Sequence, residues 1–214
     1  MLTYFVTVRL VGPGMGTLLN YTHAIWANVL GVLVLRQRPT LKFWGLLALA
    51  TLGLCLIVAP QPRDAWAGHL YGALSGLFAG AAILCIKRLR KTDNALTVLA
   101  SFSVVGLLVS LAILPWSTLP PAPHQPLELS GILLAVGGLS FVGQVLFTHG
   151  YKDTSVELGS LLSLGVPVVS MLLSRWWFAE PLTLWGLLGS VCVLCACLLF
   201  ARLEPSARAA APLD

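Results

Sequence analysis

Seven apolar stretches, each about 20 residues long, follow one another along this chain with only short gaps between them, and they decide what it can fold into. They are Met15–Leu35, Leu41–Ala59, His69–Ile86, Ala95–Trp116, Leu129–Thr148, Val156–Phe178 and Leu182–Ala201. Only a helix or a closed barrel satisfies its own backbone hydrogen bonds in hydrocarbon. Barrel strands alternate and run about 9–11 residues, so runs this long and continuous specify helices. An eighth run, Leu2–Val11, is about half the length a crossing needs and ends at Gly12-Pro13-Gly14. It reads as the tail of a helix whose beginning is missing. The fold class expected is an all-α, polytopic membrane bundle of seven full spans and a stub.

Composition agrees. Of 214 residues, 57% are hydrophobic and only 10% charged, where a soluble domain carries about a quarter charged to wet its surface. The net charge of +5 does not mark a nucleic-acid partner, because nearly all the Lys and Arg sit in the gaps between spans. Arg36, Arg38 and Lys42 follow the first span; Lys87, Arg88, Arg90 and Lys91 lie two gaps later; Lys152 lies two gaps after that; Arg202 and Arg208 follow the last. The bias toward basic residues in cytoplasmic loops places this set inside and the C-terminus with it, in a multi-pass protein of the cell membrane. The Pro-rich stretch Pro115–Pro126, without Lys or Arg, then falls outside. Residues 205–214 read as a disordered cytoplasmic tail. Cys192, Cys195 and Cys197 have a cluster-like spacing, but thiolates in hydrocarbon are costly and these read as small packing residues. No cofactor, metal or enzyme motif is present, neither His-Glu-x-x-His nor a phosphate loop nor a nucleophile elbow, so an enzyme is not expected.

An internal repeat carries more information. Gly16-Thr17-Leu18-Leu19-Asn20 is echoed by Gly159-Ser160-Leu161-Leu162-Ser163. Arg38-Pro39 and Trp44-Gly45-Leu46-Leu47 are echoed by Glu180-Pro181 and Trp185-Gly186-Leu187-Leu188. The copies lie five spans apart. Five is odd, so the second copy crosses the membrane in the opposite sense, an arrangement typical of secondary transporters.

From Tyr151 to Ala201 the chain resembles the end of an EamA domain of the drug/metabolite transporter superfamily. The likeness rests on Gly159, Pro167-Val168-Val169 in the same helix, Glu180-Pro181-Leu182 at the turn and a Gly-rich last span. The resemblance implies inverted five-helix repeats, with residues 1–60 the back part of the first repeat and 68–204 a complete second. It implies alternating-access transport, mostly outward, of a small metabolite, amino acid or drug. About two and a half N-terminal helices of such a protein are missing here, the acidic turn residue is Arg38 in the first copy, and Ala24 stands where Pro167 would be matched. A non-transporting remnant, or a partner chain that completes a bundle with other helices or a second copy of itself, is the alternative.

Several residues are candidates for a cavity. Pro167 cannot donate to the Ser163 carbonyl, which suits either cavity lining or a simple kink. Ser163, Ser170 and Ser174 share that helix's polar side. His23, with Asn20 a turn before it, is either a proton-coupling or substrate-contacting group or a neutral His bonded across a helix contact. Ser140, Gln144 and Thr148 form a stripe suited to lining or to interhelical glue. Arg175 either snorkels to the outer surface or meets an anionic substrate, and Trp176, Trp177 and Trp185 suit an aromatic belt. Gly72, Gly76 and Gly80 form one flat face for close helix approach.

Overall fold

A computed structural model describes residues 2–58, 66–113, 126–179 and 182–209, and all the regular structure among them is helical. The helices are α1 (Leu2–Val11), α2 (Pro13–Tyr21), α3 (His23–Leu35), α4 (Leu41–Val58), α5 (Trp66–Leu89), α6 (Ala95–Ile113), α7 (Pro126–Gly150), α8 (Val156–Ser163), α9 (Val166–Phe178) and α10 (Leu184–Ala209). Among the described residues, seven segments are long and apolar enough to cross a membrane, two of them made of the pairs α2–α3 and α8–α9. The tail expected from residue 205 is helical to Ala209, and residues 210–214 lie outside the described residues. Glu180 and Pro181 lie outside them too, as does the Pro-rich stretch before Pro126, which itself opens α7 where its missing N–H costs nothing.

The chain divides into two compact units, Met1–Leu84 with Ser155–Asp214, and Cys85–Thr154. The larger unit holds the repeat, and its backbone repeats as its sequence does. The register that pairs Asn20 with Ser163 pairs the start of α2 with the start of α8, and α3 with α9 from end to end. It also pairs Arg36 with Ala179. Both are C-caps in the left-handed region, at φ 52° and 53°, and they are the two non-glycine residues with positive φ among those described. Sequence identity between the copies is low, yet each ends its helix with the same backbone signature.

The sequence-equivalent helices α4 and α10 pack against each other antiparallel. Phe43 meets Phe200 edge to face at 5.2 Å, and at the far end Gly53 meets Gly189. A Cβ at Gly53 would lie 2.6 Å from the Gly189 carbonyl oxygen, so the two backbones touch. Equivalent helices that run in opposite directions against one another are what an inverted repeat requires. Around this seam lies the core of the unit: Phe43, Leu47, Ala50, Leu54, Leu161, Leu164, Val193 and Ala196 are all buried.

The smaller unit pairs α6 with α7, and cations that precede α6 bond to carbonyls at and beyond the end of α7. Lys87 Nζ donates to the carbonyls of Lys152 (3.1 Å) and Thr154 (2.7 Å), and the buried Arg90 donates through Nε to Thr148 O (3.2 Å). Both basic side chains therefore satisfy carbonyls at and beyond the C-terminus of α7, where the helix dipole favours positive charge. Tyr151, only 3% exposed, stacks edge-on with Phe147, and its hydroxyl has no partner among the described residues. Burial raises its phenol pKa above the ordinary value.

Candidate functional site

Two membrane-length helices are interrupted, at matching places in the repeat. Thr22 separates α2 from α3, and Leu164 and Gly165 separate α8 from α9; the repeat register pairs Thr22 with Gly165. The second break follows from sequence. Pro167 stands in the first turn of α9, lacks an N–H for the Ser163 carbonyl, and forces the chain to turn before it. Leu164 N and Gly165 N bond back three residues, to Leu161 O (3.1 Å) and Leu162 O (2.9 Å), the tighter geometry of a helix end.

The first break has no proline. Side chains do the same work by taking over backbone acceptors. Thr22 Oγ1 donates to Leu19 O at 2.6 Å, and His23 Nδ1 sits 3.0 Å from Asn20 O. Thr22 N also bonds back three residues, to Leu19 O at 3.3 Å, so the carbonyls at the break have donors from side chains as well as backbone.

The two breaks are joined. His23 Nε2 lies 2.9 Å from Ser163 Oγ, and Ser163 Oγ donates to Ser160 O at 2.6 Å. One turn along α3, the wholly buried Asn28 donates through Nδ2 to Ala24 O and to Ser160 Oγ, both at 2.7 Å, and Ser160 Oγ donates to Glu157 O at 3.0 Å. Asn28 Oδ1 has no partner among the described residues. On the other side Asn20 Nδ2 donates to Ser75 Oγ of α5 at 2.7 Å. A chain of polar groups thus runs from α5 through α2 and α3 to α8. Its central member, His23, is 8% exposed.

Glycines bring α5 to this place. A Cβ at Gly72 would press on Leu19, one at Gly76 would collide with Thr22 Oγ1 at the break itself, and one at Gly80 would lie 2.7 Å from Ala27 N. The face formed by Gly72, Gly76 and Gly80 therefore lies directly on the interrupted helix, where backbone contact admits no side chain.

Of the residues singled out from sequence, the structure brings together Asn20, His23 and Ser163, with Pro167 buried just beyond the break. Ser170 and Arg175 are exposed farther along α9, and Arg175 Nη1 donates to Ala179 O at 3.2 Å. Gln144 belongs to the smaller unit and is exposed there, as is Ser140, whereas Thr148 is buried. Trp176 and Trp177 stack at 6.2 Å and are exposed, like Trp185. Cys197 donates its thiol to Leu161 O at 3.4 Å. Asn28 and Ser75 were not singled out from sequence. The signal for Asn28 was available: an amide in the middle of an apolar run needs an internal partner.

Residues 66–202 match the EamA-like transporter family. The chain is 24% identical to the pseudopaline exporter CntI of Pseudomonas aeruginosa over 205 residues, which is 94% of this chain and 70% of that one. It is 27% identical over 197 residues to an uncharacterized transporter of Archaeoglobus fulgidus, covering 92% of this chain and 70% of the relative. The fold superposes on a protein of known crystal structure with a TM-score of 0.77 at 16% identity, over 94% of this chain and 73% of that one.

Proposed function

The chain belongs to the EamA-like transporter family, and on that premise we propose that it moves a small metabolite, amino acid or drug outward across the cell membrane by alternating access. Membrane transport is the property its relatives share. The paired helix breaks are the observation that carries the finer reading. Two equivalent helices from oppositely oriented repeats are interrupted at the same register and tied to each other by the His23–Ser163 contact. Interrupted helices at the junction of inverted repeats bring backbone and polar side chains to membrane depth, where a solute released from water needs partners. Asn20, His23, Ser163 and Pro167 form this site in our reading. Ser170 and Arg175 line the path along α9, and Gln144 of α7 is a further candidate contact for the solute. Rocking one repeat against the other changes which side the site opens to, with the C-terminus on the cytoplasmic side. Outward movement is supported by the exporter among the relatives.

The test is flux in proteoliposomes loaded in turn with pseudopaline, labelled amino acids and a cationic dye. At least one probe should exit faster than from protein-free vesicles. His23→Ala and Gln144→Ala should each slow that exit without lowering the yield of folded protein. Flux unchanged in both variants would sink the site.

A further inference from the structure

We propose that His23 is a reversible proton-binding site, and that the hydroxyl of Ser163 transmits its charge state from the α2–α3 break to the α8–α9 break. This rests on reading the paired breaks as the translocation site.

Hydrogen counting leads there. The Asn20 carbonyl can only accept, so at 3.0 Å from it Nδ1 must carry a hydrogen. Ser163 Oγ has a single hydrogen and two close partners, Ser160 O at 2.6 Å and His23 Nε2 at 2.9 Å. Ser160 O can only accept. If the hydroxyl hydrogen points to Ser160 O, the contact to His23 is a hydrogen bond only when Nε2 also carries a hydrogen, which makes the ring an imidazolium. If the ring is neutral, Nε2 must accept, the hydroxyl turns to it, and Ser160 O loses its donor. All three contacts are hydrogen bonds only in the protonated state. In the neutral state one is given up, and no heavy atom needs to move. Protonation takes one proton from water, forms the Nε2–H bond, and turns the Ser163 hydroxyl through one rotor. Release reverses each step.

The ring's surroundings leave this role to it alone. Tyr21 of α2 lies 5.5 Å away, ring to ring. Glu157 stands in the first turn of α8, at the opposite end from Ser163. α5 presents Ser75 and Gly76 here, with His69 and Tyr71 nearer its start and Cys85, Lys87 and Arg88 nearer its end; α10 carries Cys192, Cys195 and Cys197, with Arg202, Glu204 and Arg208 in the sequence toward its C-terminal end, and α4 Lys42 and Cys55. α3 and α9 add no acid, and the cation of α9, Arg175, bonds Ala179. Among the described residues none of these charged groups is bonded to His23. The proton is therefore received by a hydroxyl and two carbonyls, a set that can reorganise by rotation.

The experiment needs no substrate. Protein labelled with nitrogen-15 at histidine is placed in lipid nanodiscs and its imidazole nitrogens are followed by NMR from about pH 4 to 9, a range that brackets the ordinary histidine titration. The spectrum of His23→Gln assigns the signal. The expected result is an Nδ1 that stays protonated throughout and an Nε2 that gains its hydrogen within the range. Ser163→Ala removes two bonds from the protonated state and one from the neutral, so the midpoint should fall by about one pH unit, a tenfold loss of proton affinity. Ser163→Thr keeps the hydroxyl and should keep the midpoint. A neutral ring protonated on Nε2, an Nε2 that never titrates, or a midpoint unmoved in Ser163→Ala would each overturn the proposal. If Ser163→Ala does not fold, the tautomer and titration of the unaltered protein decide. Normal titration with normal flux in His23→Ala would instead remove the pathway reading and leave the proton site standing.

Discussion

Replacing Gly53 by alanine perturbs the seam that holds the two repeats together. The new methyl would lie 2.6 Å from Gly189 O, 2.9 Å from Val193 Cγ2 and 3.0 Å from Cys192 Cβ. A comfortable carbon-to-oxygen approach is about 3.3 Å, so α4 and α10 must part by about 0.7 Å. The obstruction is a backbone carbonyl within a helix, which cannot rotate aside as a side-chain tip could. Overpacking of this kind costs about 1–3 kcal/mol, and alanine's better helix propensity offsets about 0.5–1 of it, for a net loss of roughly 1–2 kcal/mol. Gly45→Ala is the control. A Cβ there meets nothing within 4 Å, so propensity acts alone and the variant should gain up to about 1 kcal/mol. The assay is equilibrium unfolding in detergent micelles, followed by tryptophan fluorescence. Gly53→Ala with Gly189→Ala should lose less than the two single losses together, because the second methyl enters a seam already opened. A Gly53→Ala protein as stable as Gly45→Ala would refute the backbone contact and the antiparallel seam built on it.

Further outcomes follow from three single positions. Ala179→Gly should stabilise the protein by about 1 kcal/mol in the same assay, since glycine takes a left-handed C-cap without the penalty a Cβ carries. Tyr151→Phe should be neutral or stabilising by about 1 kcal/mol, because the buried hydroxyl it removes has no partner. The same residue sets a pH dependence. Its folded pKa is raised, so its contribution is fully present below the ordinary phenol value of about 10 and is lost as pH rises above it. Tyr151→Phe should flatten that alkaline loss, which unfolding curves measured up to strongly alkaline pH would show. Asn28→Leu should cost about 1 kcal/mol, the size of an interhelical hydrogen bond within a membrane, and a cost near zero would show that Ser160 finds another donor.

The spans and the repeat were legible because both rest on patterns that lipid imposes. Length and unbroken apolarity mark a crossing, and an odd number of spans between copies fixes their opposed orientation. The α8–α9 break was legible through Pro167, which removes a hydrogen bond by its covalent structure. The α2–α3 break was not. Thr22 and His23 break that helix through side-chain bonds to Leu19 O and Asn20 O, and nothing in the one-dimensional pattern separates a helical threonine that bonds back from one that does not. Ala24, in the place of Pro167, suggested that the first copy lacked the feature, whereas the backbone has it by another route. The pairings of His23 with Ser163 and Asn28 with Ser160 span 140 and 132 residues, and only the folded repeats bring those partners together. The glycine stripe on α5 was visible as a flat face, but its target, the break itself, was not. Nor was the Gly53–Gly189 crossing, because single glycines in apolar runs are too common to signal one.

Alternating access at the paired breaks is tested most directly by Ser163→Cys in a chain whose five native cysteines are replaced. Accessibility is measured with a membrane-impermeant thiol reagent applied to oriented vesicles from one face at a time. Labelling from each face, slowed from both by a transported probe, is the result expected of a site that opens to both sides in turn. Labelling from one face only, or from neither, would contradict it.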